Sequence, residues 1–161
     1  MSASTTSSAP EASAYVEDIM SKDIVKIAAD KSIQDVAIIM AERNISSILL
    51  EDSGKIIGIL TERDLVRNVC AKDLLASKTP AVSIMSAPLA TVSRSSLVER
   101  AADLMVRNKI RHLPVEDNDG NIIGVITTTD LARYLRRKLA STDPEILAAI
   151  YAFDEPYGTA L

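Results

Sequence analysis

Two threonine–aspartate pairs offer the plainest chemistry in this chain. Thr61 and Asp64 lie in Gly58-Ile59-Leu60-Thr61-Glu62-Arg63-Asp64-Leu65, and Thr127 and Asp130 lie in Gly124-Val125-Ile126-Thr127-Thr128-Thr129-Asp130-Leu131. In each copy a short β-branched apolar run stops at the threonine and a helical pattern begins, which reads as a buried strand feeding directly into a helix. Two chemistries fit that junction. A threonine N-cap with an acid three residues on is close to a capping box, whose only task is to start the helix. The free N–H groups of a helix start also suit a phosphate. An aspartate there repels phosphate but accepts hydrogen bonds from two neighbouring ribose hydroxyls, with the threonine hydroxyl as a second polar contact. The glycine three residues before the threonine clears space for a ligand or for another backbone. Taken together, these chemistries point to a nucleotide.

The elements that must position these residues occur twice. Met20 and Met85, and Met40 and Met105, repeat at an offset of 65, which becomes 66 from the glycines onward, so one residue is added between Glu116 and Gly120. Each repeat reads as a short strand (24–27; 89–92), an amphipathic helix, a strand (47–50; 112–115), a turn, the buried strand (56–60; 122–126) and a second helix (64 to about 75; 130 to about 139). Ser32-x-x-Asp35 and Ser96-x-x-Glu99 are the expected caps of the first helices, which end near Asn44 and Asn108. A unit of about 60 residues closes a poor core alone. Two β-α-β-β-α units packed by their sheets about a pseudo-twofold axis close a good one, so an α/β (α+β) fold is expected. The expected division is a disordered leader over 1–14, unit 1 over 15–75, a linker over 76–81 with Pro80 barring helix continuation, unit 2 over 82–139, and a short C-terminal helix and tail over 140–161.

Composition narrows the function. The chain has 161 residues, 47% of them hydrophobic, and a net charge of −4, with neither half basic, which speaks against nucleic acid as a partner. No Trp and one Phe leave little material for base stacking. No window approaches the roughly 18 apolar residues of a membrane span. The leader lacks a basic start and an apolar core, and Cys70 is the only cysteine, so a cytoplasmic location and a buried structural thiol are expected. One histidine, one cysteine and no metal-ligand cluster argue against an enzyme.

The order Ile-Met-Ser, Arg-His-Leu-Pro-Val and Gly-h-h-Thr-x-x-Asp-Leu over residues 16–139 resembles the CBS domains, named after cystathionine β-synthase, arranged as a tandem pair or Bateman module. The resemblance implies two clefts shared between the repeats that bind adenine nucleotides or related adenosyl compounds and regulate an attached or partner protein. It places Thr61 and Asp64 on the ribose in one cleft and Thr127 and Asp130 in the other. It sets Thr91 opposite Asp64 and puts Lys26, which departs from the family pattern, at the equivalent place, reaching either a phosphate or water. Ile45-Ser46-Ser47 and Ile110-Arg111-His112 match the adenine-flanking segment. Arg111 and His112 are candidate phosphate contacts, although His112 also reads as a partly buried histidine satisfied by backbone. Arg63 adds charge where the second copy has Thr129.

The expectation is a stand-alone, non-catalytic energy-sensing module that binds AMP, ADP or ATP and signals to an unidentified partner protein. S-adenosylmethionine or methylthioadenosine, or a ligand-free docking role, are the alternatives. A homodimer is expected through helices whose Ile38, Ile39, Leu104 and Val106 widen the apolar stripe.

Overall fold

The structure is a computed structural model that describes residues 13–142. The expected leader and the C-terminal helix and tail lie outside the described residues, apart from 13–14 and 140–142. In the first repeat, β1 (Lys26–Ala28) leads through α2 (Ile33–Arg43) to β2 (Ser47–Asp52), β3 (Lys55–Thr61) and α3 (Glu62–Asn68), after α1 (Val16–Ile19). In the second, β4 (Val92–Ser93), α4 (Val98–Asn108), β5 (His112–Glu116), β6 (Ile122–Thr127) and α5 (Thr128–Thr142) repeat that order. Each repeat makes a three-stranded sheet whose first two strands are parallel and whose last two are antiparallel. A parallel pair requires a crossover, and α2 and α4 supply it.

Local chemistry sets most boundaries. Ser32 caps α2, its hydroxyl accepting from Asp35 N at 3.1 Å, and Asn44 ends the helix in the left-handed region at φ 51°. The hairpin between β2 and β3 turns on Ser53 and Gly54, both at positive φ, the backbone of a two-residue hairpin turn. Its counterpart carries the extra residue and is held by Asp117, whose Oδ1 accepts from Asp119 N and Asn121 N, both at 2.9 Å.

Several expectations are corrected. The cap of α4 is Leu97, without a side-chain bond, not Ser96, because the repeat register puts Leu97 where Ser32 stands. The Ser96 carbonyl instead accepts from Val16 N at 2.8 Å. The helix expected from Asp64 to about Leu75 ends at Asn68, and a 3-10 turn follows over Cys70–Lys72. That turn points Val69 into the core and leaves Cys70 exposed, so the expected buried thiol is at the surface. Of the apolar residues read as a surplus stripe, Ile39 and Leu104 pack against the two cores, while Ile38 and Val106 are exposed.

Packing also crosses between the repeats. The opening segment of each repeat packs on the other repeat. Val16, Ile19 and Met20 join the core of β4–β6 and α4, whereas Ala81, Ile84 and Met85 join that of β1–β3 and α2. Backbone bridges fix the exchange, with Ser21 paired to Val125 and Ser86 to Ile59. Val16 N donates to Ser96 O and Ala81 N to Lys31 O, both at 2.8 Å. The opening segment of each sequence unit, 15–75 and 82–139, thus completes the core of the other unit's sheet.

Candidate functional site

The exchange brings Thr-x-x-Asp of each repeat against the other repeat's second strand. One cleft, of about 380 Å³, is lined by Thr61, Arg63, Asp64 and Arg67 from the first repeat and by Ser86, Pro88–Ala90, Asn108–His112 and Pro114 from the second. The other, of about 310 Å³, is lined by Val125, Thr127, Asp130 and Arg133 facing Ser21, Asp23–Val25 and Asn44–Leu49. Most positions of the two linings correspond at the repeat offset, the exceptions being Arg63 and Asn108 in the first cleft and Ile48 and His112 in the second. Such mixed apolar and polar hollows are of the size small ligands occupy.

Both threonine–aspartate pairs are capping boxes in this geometry. Asp64 Oδ2 accepts from Thr61 N at 2.9 Å and Thr61 Oγ1 at 2.7 Å; Asp130 Oδ2 accepts from Thr127 N at 2.9 Å and Thr127 Oγ1 at 2.6 Å. Each box employs one carboxylate oxygen. Asp64 Oδ1 receives no hydrogen bond among the described residues, while Asp130 Oδ1 faces Arg133 Nη1 at 3.4 Å. Capping and ligand binding are thus compatible on one side chain, because the carboxylate has acceptor sites left over.

The glycines make room for the other repeat's opening segment, its side chain at Gly58 and both side chain and backbone at Gly124. A Cβ on Gly58 would overlap Met85 Sδ and lie 2.9 Å from Met85 Cγ. One on Gly124 would lie 2.7 Å from Met20 Sδ and 2.8 Å from Ser21 O. The methionine of each Ile-Met-Ser lies over the other repeat's glycine, so the space is cleared for the exchanged segment.

Ile110, Arg111 and His112 line the Asp64 cleft, and Ile45, Ser46 and Ser47 line the Asp130 cleft. His112 lines both and shares a 2.8 Å hydrogen bond with Ser46 through Nε2. The partner is a side chain, not the backbone expected of a structural histidine. Burial first, then the positive charge of Arg111, hold the imidazole below its usual range, against the opposing pull of Glu62.

Three expected residues lie elsewhere. Thr91 and Lys26 line neither cleft but a third hollow of about 530 Å³ between the hairpin turns, where Lys26 forms an ion pair with Glu51 on the neighbouring strand. The walls opposite the aspartates are instead the residues just before β1 and β4, which the exchanged segments draw against β6 and β3. Thr129 lines a small hollow with Ser46, Glu62, Arg111 and His112, so it is not the counterpart in the Asp130 cleft that Arg63 is in its own. The sequence analysis assigned none of Arg67, Lys109, Asp23 and Arg133 to the clefts. Arg67 and Arg133 share one place in the repeat, three residues after each aspartate, and that was the available signal.

Tandem β-α-β-β-α repeats that exchange their opening segments and share two clefts define a paired α+β module. Residues 16–71 and 81–137 match the CBS domain family, and the chain belongs to it as a CBS pair, a regulatory module. An uncharacterised protein of Methanopyrus kandleri is 31% identical over 83% of this chain and 69% of its own. The CBS domain-containing protein YhcV of Bacillus subtilis is 30% identical over 73% and 82%. Among solved structures, the CBS domain pair of MJ0100, in complex with 5′-methylthioadenosine and S-adenosyl-L-methionine, superposes at a TM-score of 0.72, 27% identical over 79% of this chain and 99% of that one. A conserved protein of Pyrococcus horikoshii superposes at 0.73, 26% identical over 77% and 93%.

Proposed function

We propose that this protein senses an adenine nucleotide, AMP, ADP or ATP, in the two clefts at the joint between its CBS domains and passes the occupancy to a partner protein as a change of shape. The observation that carries the reading is the free acceptor capacity of Asp64 in a cleft of about 380 Å³ built from both repeats. A ligand there touches both halves, so its binding biases how they pack. Thr61, Asp64, Arg63, Ile110, Arg111 and His112 hold it in one cleft. Thr127, Asp130, Ile45, Ser46 and Ser47 do so in the other.

The test is a thermal-shift and calorimetric panel of AMP, ADP, ATP, S-adenosylmethionine and methylthioadenosine. A ligand that binds only the folded state at a hundredfold excess over its Kd stabilises by about 2.7 kcal/mol. No shift and no heat from any of them overturns the reading in favour of a ligand-free docking protein. The ligands of MJ0100 support the second reading, a sensor of S-adenosylmethionine or methylthioadenosine, since the ribose and adenine contacts are common to all these compounds. Mass spectrometry of molecules released from heat-denatured protein separates the two.

We further infer a homodimer through the helices that carry Ile38 and Val106, which are 47% and 77% exposed. Light scattering at micromolar concentration checks it, and a monomer overturns it.

A further inference from the structure

The two clefts occupy equivalent places in the repeat, yet the side chains at those places differ in charge in one consistent direction. Where the Asp64 cleft has Lys109, Arg111 and Pro88, the Asp130 cleft has Asn44, Ser46 and Asp23. Each of the three exchanges makes the Asp130 cleft more negative by one charge. Arg67 and Arg133 match each other, and Arg63 has no charged counterpart in the other cleft. The Asp64 cleft therefore sets Arg63, Arg67, Lys109 and Arg111 against one carboxylate. The Asp130 cleft sets Arg133 against two.

Pairing sharpens the contrast. Among the described residues Arg133 lies 3.4 Å from Asp130, whereas none of Arg63, Arg67, Lys109 and Arg111 lies within ion-pair distance of a carboxylate. A further acid, Glu62, lines the small neighbouring hollow with Arg111, and counting it leaves the balance positive. Arg63 is also positioned, its Nη1 donating to Lys109 O at 3.0 Å and so tying the start of α3 to the end of α4 across the cleft mouth. Guanidinium and ammonium groups without anionic partners in one hollow are the chemistry that recognises phosphate oxygens.

Building on the nucleotide-sensing reading, we propose that the clefts divide their ligands by charge: the Asp64 cleft takes a nucleoside bearing two or three phosphates, and the Asp130 cleft takes a nucleoside without them, uncharged or cationic. The protein then responds to two different metabolites at once, through clefts that share His112.

The test is calorimetry of the 161-residue chain with ATP and with adenosine as probes, for the native protein and for two variants that exchange cleft character. Native protein is expected to bind one equivalent of ATP, with an affinity that falls severalfold between about 0.05 and 0.3 M salt, and to bind adenosine without that dependence. Lys109→Asn with Arg111→Ser installs the other repeat's residues, and is expected to weaken ATP at least about tenfold while adenosine changes less than about twofold. Asn44→Lys with Ser46→Arg is expected to raise ATP stoichiometry toward two. Because the second variant reads a gain, a folding defect in the first does not decide the matter. Two equal ATP sites in the native protein, or ATP and adenosine weakened alike by the first variant, overturn the charge division and leave nucleotide sensing standing. Absence of heat from both probes overturns both.

Discussion

At the residue scale, one aspartate side chain carries two tasks that substitution can separate. Asp64→Asn keeps a side-chain oxygen for the Thr61 N–H, so the cost in stability is expected to be about 1 kcal/mol or less. It removes charge from an oxygen with no partner among the described residues, and nucleotide affinity is expected to fall more than about tenfold, or about 1.4 kcal/mol. Asp130→Asn is expected to lose less, because Arg133 already lies on its second oxygen. Equal, small losses of affinity in titrations of both variants would reduce the two boxes to helix caps. His112 supplies a pH signature. Its imidazole titrates below the usual value in the folded protein, so between about pH 6.5 and that lower value the unfolded chain binds more protons. Stability is therefore expected to fall as pH drops from 7.5 to 5.5, and His112→Gln to flatten that slope; urea midpoints at the two pH values measure it. Asp35 and Asp117 are also shifted downward, but they start from the carboxylate range and act at lower pH.

At the scale of elements, the seam between exchanged segments and strands leaves little room for added atoms. Gly124→Ala meets the Ser21 carbonyl as well as Met20, and backbone yields less than a side chain. It is expected to cost about 1–3 kcal/mol. The three atoms nearest a Cβ at Gly58 all belong to the flexible Met85 side chain, so Gly58→Ala is expected to cost less, with Met85→Ala relieving it in a double-mutant cycle. Met20→Ala is expected to relieve Gly124→Ala only in part. Chemical denaturation of the four single and two double variants checks this, and full relief in both pairs would mean that Ser21 does not constrain β6.

At the scale of the whole molecule, the packed bodies are permuted relative to the repeats. A fragment of residues 15–75 lacks Ala81, Ile84 and Met85, which complete the core of its own sheet. That loss is about 3 kcal/mol or more, set against the 5–15 kcal/mol typical of a domain. A fragment of residues 22–86 contains them. The second is expected to give a cooperative melt and dispersed amide resonances, and the first a broad one. The reverse ranking would show that the exchanged segments are dispensable. The same exchange explains why a ligand in either cleft is felt by both repeats, since each cleft has walls from both.

The sequence by itself determined the local events. Short-range chemistry sufficed for the start of α2 at Ser32, for the junctions at Thr61 and Thr127, and for the second and third strands of each sheet, because caps and apolar runs act within a few residues. The repeat offset made the tandem architecture legible, and the resemblance pointed to Thr61, Asp64, Thr127 and Asp130, which line two clefts in the structure together with Ile45, Ser46, Ile110 and Arg111. Local pattern alone left Ser96 as a false cap, although the offset sets Leu97 at that place, and Cys70 as a false core residue, since its exposure depends on what packs against a helix end. Only the tertiary structure decided that Met20 and Met85 cover the glycines, that Thr91 and Lys26 stand outside the clefts, and that Arg67 and Lys109 stand within one. Those placements depend on contacts between residues far apart in sequence, made across the seam where each repeat gives its opening segment to the other. No pattern within one repeat encodes the partner of an exchanged segment.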